Sequence, residues 1–203
     1  MRAIDFSKWF LNKNPNLLKG DFDGNLKLNK LLYFSNLMYF SVFGKDLMSD
    51  NFEKWEKGPV IESIYNEYKD NSLFELVNSI PSITDKKILQ VLEIINFVYA
   101  DYSSKELTEE SHTHNIWKDV EEKGLINFKN ISQDVKEYML DLYNIYKYYD
   151  FNNIAIERVN GNKYIYFKDN LELTDDVLKI LQTINSIDSP AFIEMIDGEL
   201  VFS

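Results

Sequence analysis

Apolar residues recur at helical spacing through most of the first 150 positions of the chain. Between residues 85 and 99 they fall three and four positions apart, which places them on one face of a helix that Thr84 can cap. Residues 26–43 are apolar almost all round, so a central helix covered on most sides is predicted there, with Gly44 at its end. Helices are predicted at 3–13, 26–43, 60–68, 85–99, 105–111, 116–123 (ended by Gly124) and 132–149.

The pattern changes after Asp150, where short alternating segments replace the helical spacing. Asn160–Gly161 and Asp197–Gly198 supply the positive φ angles of tight turns, so two hairpins are predicted, with a helix capped by Thr174 between them. The expected fold class is mainly α. A helical domain over residues 1–150, with one short extended segment, precedes a small acidic α+β module over residues 151–203, in the order strand, strand, helix, strand, strand.

The charge and the cysteine content of the chain argue against several classes of partner and several kinds of site. The net charge is -11 and the pI is near 4.7, which opposes binding to nucleic acid or to an anionic membrane, so neither partner is expected. The absence of cysteine excludes disulfides and thiolate metal sites. No run of 18 apolar residues and no secretory signal pattern is present, which predicts a soluble cytoplasmic protein. The C-terminal part is the more acidic per residue, which serves either solubility or a basic partner surface.

The most distinctive stretch lies between residues 26 and 68, with an extension further along the chain. It contains a Lys-Leu-Leu-Tyr-Phe run at 30–34, a Phe-Gly pair at 43–44, and a tryptophan followed three residues later by Gly-Pro-Val. A histidine and a tryptophan follow at 112 and 117, with Ile116 before the tryptophan. Together, over about residues 3–147, these features resemble the Panacea domain, also called SocA-like or GepA-like, of antitoxins and phage-associated proteins. That family usually has proline where this chain has Ile116, so the local turn is expected to differ.

The resemblance implies a helical antitoxin domain that binds and neutralises a cognate toxin protein, usually encoded by the adjacent gene. Toxins of the family are diverse, and one member delivers its toxin to a protease. The alternatives are a phage-borne or regulatory protein-binding module, either a protease adaptor or an inhibitor of a host enzyme, and a transcriptional autorepressor. Repression would need a basic recognition helix, and the candidate lysines, at 27 and 30 and at 118 and 123, are sparse and diluted by acidic residues.

The candidates for partner binding are the distinctive residues of the motif. They allow two interpretations: a rigid corner packed on the central helix, with Pro59 in the first turn of the helix that follows, or a partner-facing anchor built on Trp55. The candidate residues are Trp55, Lys57, Gly58, Pro59, Val60, Tyr65, His112 and Trp117.

No catalytic residue, metal site or cofactor is predicted, and the chain is not expected to be an enzyme. His112 and His114 are the only histidines, and Glu109 precedes His112 at the spacing used in di-iron bundles, but the second such motif that those bundles need is missing. Lys27 and Lys30 interrupt the apolar central helix and are expected to extend their ammonium groups to solvent, or alternatively to pair with an acidic group of a partner.

Overall fold

A computed structural model describes residues 1–75, 83–187 and 190–202. The chain divides into two compact units, Met1–Tyr148 and Tyr149–Ser203. The first is mainly helical, and the second combines one sheet with one helix in its described part. Within the described ranges, no helix has both the length and the apolarity needed to cross a bilayer.

The first unit is built around helices joined by short connections. Its helices are α1 (Ala3–Lys13), α2 (Phe22–Phe43), α3 (Glu62–Lys69), α4 (Ser72–Glu75), α5 (Lys86–Tyr99), α6 (Ser104–Thr113), α7 (Asn115–Lys118) and α8 (Gln133–Tyr146), with 3₁₀ turns at Pro15–Lys19 and Phe128–Asn130. Its two strands are β1 (Glu53–Trp55) and β2 (Gly58–Val60).

Helix α2 is the centre of the first unit, as its apolar composition predicts. It packs against α1, α5, α6 and α8, and most of its residues are buried. A fully buried leucine on such a helix stabilises the fold by about 2 kcal/mol. The Asp21 side chain caps its start by accepting from the Gly24 N–H at 2.7 Å. Gly44 ends it in the left-handed conformation, φ 69°, as predicted.

Several predicted boundaries in the first unit are wrong. Helix α2 begins at Phe22, not at residue 26, and α8 ends at Tyr146, not at residue 149. Asp85, not Thr84, caps α5, because its carboxylate accepts from the two N–H groups of Lys87 and Ile88. The helix predicted at 116–123 ends at Lys118. Beyond it, the backbone at positions 123 and 124 hydrogen-bonds to Lys54 of β1, so pairing with a strand outweighs the local helical preference.

The prediction that Pro59 begins a helix is also wrong. Pro59 lies in β2, which pairs antiparallel with β1, and the helix begins at Glu62. Lys54 stands opposite Pro59 and directs its backbone groups the other way: its N–H donates to the Gly124 carbonyl at 2.9 Å, and its carbonyl accepts from the Lys123 N–H at 2.8 Å. Proline is tolerated here because the Lys54 and Pro59 pair needs no hydrogen bond between its members.

The second unit has the predicted order of strand, strand, helix, strand, strand. Its elements are β3 (Ile154–Val159), β4 (Asn162–Phe167), α9 (Asp175–Thr183), β5 (Ala191–Ile196) and β6 (Glu199–Phe202). The sheet runs β3-β4-β5-β6, with β4 and β5 parallel and the outer pairs antiparallel. Thr174 caps α9, and both predicted turns have two residues of positive φ, which confirms these predictions. Its core residues are Val159, Tyr164, Leu171, Val177, Leu181 and Ile193.

Candidate partner-binding site

Residues 53–60, which comprise β1, β2 and the turn between them, form the hairpin corner. Side chains from three helices hold its backbone by donating to every second carbonyl. The donors and their acceptors are Trp117 Nε1 to the Trp55 carbonyl (3.3 Å), Thr108 Oγ1 to that of Lys57 (3.4 Å) and Lys30 Nζ to that of Pro59 (3.2 Å). The hairpin corner is therefore fixed from α7, α6 and α2 at once, and its shape depends on all three helices.

Lys30 contradicts the expectation that it reaches solvent. Its side chain is 0% exposed, and burial lowers the pKa of its ammonium group to about 7. Among the described residues no carboxylate pairs with it, so a single carbonyl oxygen compensates for the lost water. Lys27, one turn earlier, is partly buried and donates to the Ala100 carbonyl at 2.8 Å.

This burial predicts a dependence of stability on pH. The pKa of Lys30 is lowered in the folded state, from 10.5 to about 7, so the unfolded chain binds more protons between those two values. The free energy of unfolding is therefore expected to rise with pH from about 7 to 10, with a contribution approaching about 1.4 kcal/mol per pH unit. Urea denaturation at several pH values should show this slope in the natural chain and lose this contribution in Lys30→Met. An identical slope in both proteins would contradict it.

Gly58 is required in the hairpin corner for two reasons. Its φ of 97° lies in a region that other residues rarely adopt. A Cβ at this position would also lie 2.6 Å from Cε of Lys30 and 2.7 Å from Oγ of Ser111, well inside van der Waals contact. The absence of a side chain therefore lets the lysine and the hairpin backbone approach each other.

Trp55 is half-buried, and its ring is held on several sides. The ring packs against Tyr65, with centroids 4.9 Å apart, and Nζ of Lys123 lies 3.2 Å from the ring centroid. Its indole Nε1 donates to the Glu53 carboxylate at 2.9 Å. Trp55 is therefore compatible with both interpretations of the sequence, the rigid corner and the partner-facing anchor, because its ring is held in place and is still partly accessible.

Trp117 and His112 form a second aromatic pair beside the hairpin corner. Their rings stack at 3.8 Å with planes 13° apart, and Nζ of Lys54 lies 4.5 Å from the Trp117 centroid. Burial lowers the pKa of His112, and the nearby side chains of Lys30, Lys54 and Lys57 lower it further. Its Nε2 is buried and has no hydrogen-bond partner among the described residues.

The predicted site residues thus come together around the hairpin corner, but with different exposure. Gly58, Pro59 and Val60 are buried and shape the corner from within. Lys57 in the turn is exposed. The remaining candidates are half-buried at its sides: Trp55, Tyr65, His112 and Trp117.

Sequence reasoning missed the cations that complete this site. Lys30 comes from the middle of α2, and Lys54 and Lys123 lie over the rings of Trp117 and Trp55. The only signal for Lys30 was a charged residue within an apolar helix. For Lys123 there was no local signal, because its position follows from the pairing of its segment with β1.

Metal-binding residue types are scattered in the described ranges, where no group of three or more is placed to hold an ion. Glu109 pairs with Lys105 at 3.7 Å. His114 is buried: its Nδ1 is 2.9 Å from the Tyr33 hydroxyl and its Nε2 is 3.8 Å from the Glu110 carboxylate. The side chains of Glu109, Glu110 and His114 therefore each contact another side chain of the fold.

Comparison with known families gives a match over residues 28–118 to the family described as antitoxin SocA-like, Panacea domain. The matched range contains the whole hairpin corner together with Lys30, His112 and Trp117. No curated protein and no solved structure matches the chain.

Proposed function

We propose that this protein is an antitoxin that binds a cognate toxin protein and neutralises it, because residues 28–118 match the family of SocA-like antitoxins with a Panacea domain. The family match supports a protein as the partner, and the geometry of the hairpin corner supports this corner as the contact surface. The observation that carries the proposal is the fixed, partly exposed Trp55 beside the exposed Lys57, on a backbone held by α2, α6 and α7.

The geometry of the hairpin corner suits protein recognition. Large aromatic side chains dominate the energetics of many interfaces, and they bind best when their conformation is already fixed in the free protein. Trp55 meets this condition because Tyr65, Glu53 and Lys123 restrain its ring. The contact surface proposed here is Trp55 and Lys57, flanked by Tyr65 and by the His112 and Trp117 pair at its sides.

Neutralisation is proposed to occur by occupation of the toxin surface, without a reaction catalysed by this chain. The arrangement of its histidines supports this: His114 lies in the core between Tyr33 and Glu110, and His112 stacks on Trp117. Binding would take place in the cytoplasm, where a toxin from a neighbouring gene is made. Delivery of the toxin to a protease, or inhibition of a host enzyme by a phage-borne copy, would use the same surface.

Co-expression tests the proposal. The product of the adjacent reading frame is expressed alone and together with this chain, with growth and co-purification as the readouts. We expect the neighbour to arrest growth alone, growth to recover when this chain is present, and the two proteins to purify as a complex. A harmless neighbour, or toxicity that persists with this chain present, removes the proposal.

A further inference from the structure

Burial of the charged Lys30 side chain lowers the stability of this fold. A buried cation loses the hydration of its charge, and here it regains one hydrogen bond, to the Pro59 carbonyl, with no carboxylate partner in the described part of the chain. Replacement of buried charged groups by apolar side chains of similar volume is often neutral or stabilising. An apolar residue of the same length would therefore satisfy the packing of α2 at a lower cost.

The position of the ammonium group indicates which part of the structure depends on the burial of Lys30. Nζ lies under the hairpin corner, where it contacts the Pro59 carbonyl and fills the space that a Gly58 side chain would take. Pro59 has no N–H and stands opposite Lys54 in a pair without hydrogen bonds, so β1 does not fix the Pro59 carbonyl. Lys30 therefore supplies a constraint on this part of β2 that strand pairing does not provide.

We propose that Lys30 is a positioning residue of the partner-binding surface, which holds the hairpin corner in its binding shape from beneath at the expense of stability. The proposal rests on the function proposed above and adds a specific consequence. At this position, affinity for the partner and stability of the fold oppose each other. A lysine with a purely structural role would instead lower both when it is removed.

The test compares Lys30→Met with a matched control, Lys27→Met. Both lysines lie on α2 and donate to a backbone carbonyl, but the acceptor of Lys27 is Ala100, outside the hairpin corner. Three quantities are measured for each full-length protein at pH 6, where Lys30 is charged. They are the free energy of unfolding in urea, the exchange rates of the hairpin amides, and the dissociation constant for the product of the adjacent gene.

For Lys30→Met we expect unfolding that is no easier than in the natural chain, faster exchange of the hairpin amides, and affinity weakened by roughly tenfold or more. Lys27→Met should keep the natural affinity and hairpin exchange. Lower stability of Lys30→Met, unchanged hairpin exchange, or affinity equal to the natural chain would each overturn the proposal. If the natural chain itself does not bind the neighbour, the proposed function fails, and stability together with hairpin exchange still decides the role of Lys30.

Discussion

Substitution of Gly58 by alanine is expected to lower the free energy of unfolding by about 3 kcal/mol, the sum of backbone strain and overpacking. The strain arises because the φ of 97° is unfavourable for any residue with a Cβ. The overpacking arises because that Cβ would lie 2.6–2.9 Å from atoms of Lys30 and Ser111, both of which are buried and cannot easily move aside. Urea denaturation monitored by tryptophan fluorescence measures the loss.

Gly44→Ala is the matched control for this prediction. Gly44 also has a positive φ, 69°, but no atom lies within 4 Å of the place where its Cβ would be. The control should therefore cost only the strain, about 1 kcal/mol. The difference between the two variants contains the crowding around Lys30 and the extra strain of φ 97° over φ 69°, and equal losses would show that the close approach at Gly58 has no energetic weight.

Trp55→Ala is expected to weaken binding of the partner by about 2 kcal/mol or more, which corresponds to roughly 30-fold in the dissociation constant. The ring offers a large surface in a fixed conformation, so its removal takes away contact area that costs little entropy to order. The variant should remain folded, because the ring is only half-buried and α2 is untouched. Calorimetric titration with the adjacent gene product measures the affinity.

Tyr148→Ala provides the comparison, since Tyr148 is an aromatic residue that is 86% exposed and lies outside the hairpin corner. If general surface aromaticity drives association, both variants should weaken binding alike. If the hairpin corner is the contact surface, only Trp55→Ala should do so. Natural affinity in Trp55→Ala would remove Trp55 as the anchor.

The helices with strong periodicity and clear end signals could be predicted from the sequence. The bounds 3–13 are those of α1, and Gly44 ends α2, because apolar spacing and the left-handed preference of glycine act within a few residues. The tight turns of the second unit follow from the same local chemistry at Asn160–Gly161 and Asp197–Gly198.

The hairpin corner could not be predicted as a hairpin, because its strands are three residues long and depend on distant partners. Proline before an apolar helical pattern favours the first turn of a helix. In the structure Pro59 instead pairs with Lys54 of β1, whose backbone groups bond to positions 123 and 124, far away in the sequence. The same pairing ends the helix predicted beyond Lys118.

Candidate site residues were predictable where they share one short motif. The tryptophan and the Gly-Pro-Val that follows it lie in one hairpin, and Trp117 donates to it as part of the same cluster. The burial of Lys30 was not predictable, since a lysine on a helix ordinarily extends to water. The burial of Lys30 depends on the space that the missing side chain of Gly58 leaves, and this space forms only when β2 packs against α2.

Contact between the hairpin corner and the toxin can be measured by hydrogen exchange on the purified complex. Exchange is compared for this chain alone and bound to the product of the adjacent gene. We expect slower exchange on binding at residues 53–60 and in the neighbouring segment 117–124. Slower exchange confined to the second unit, Tyr149–Ser203, with an unchanged hairpin corner, would contradict it.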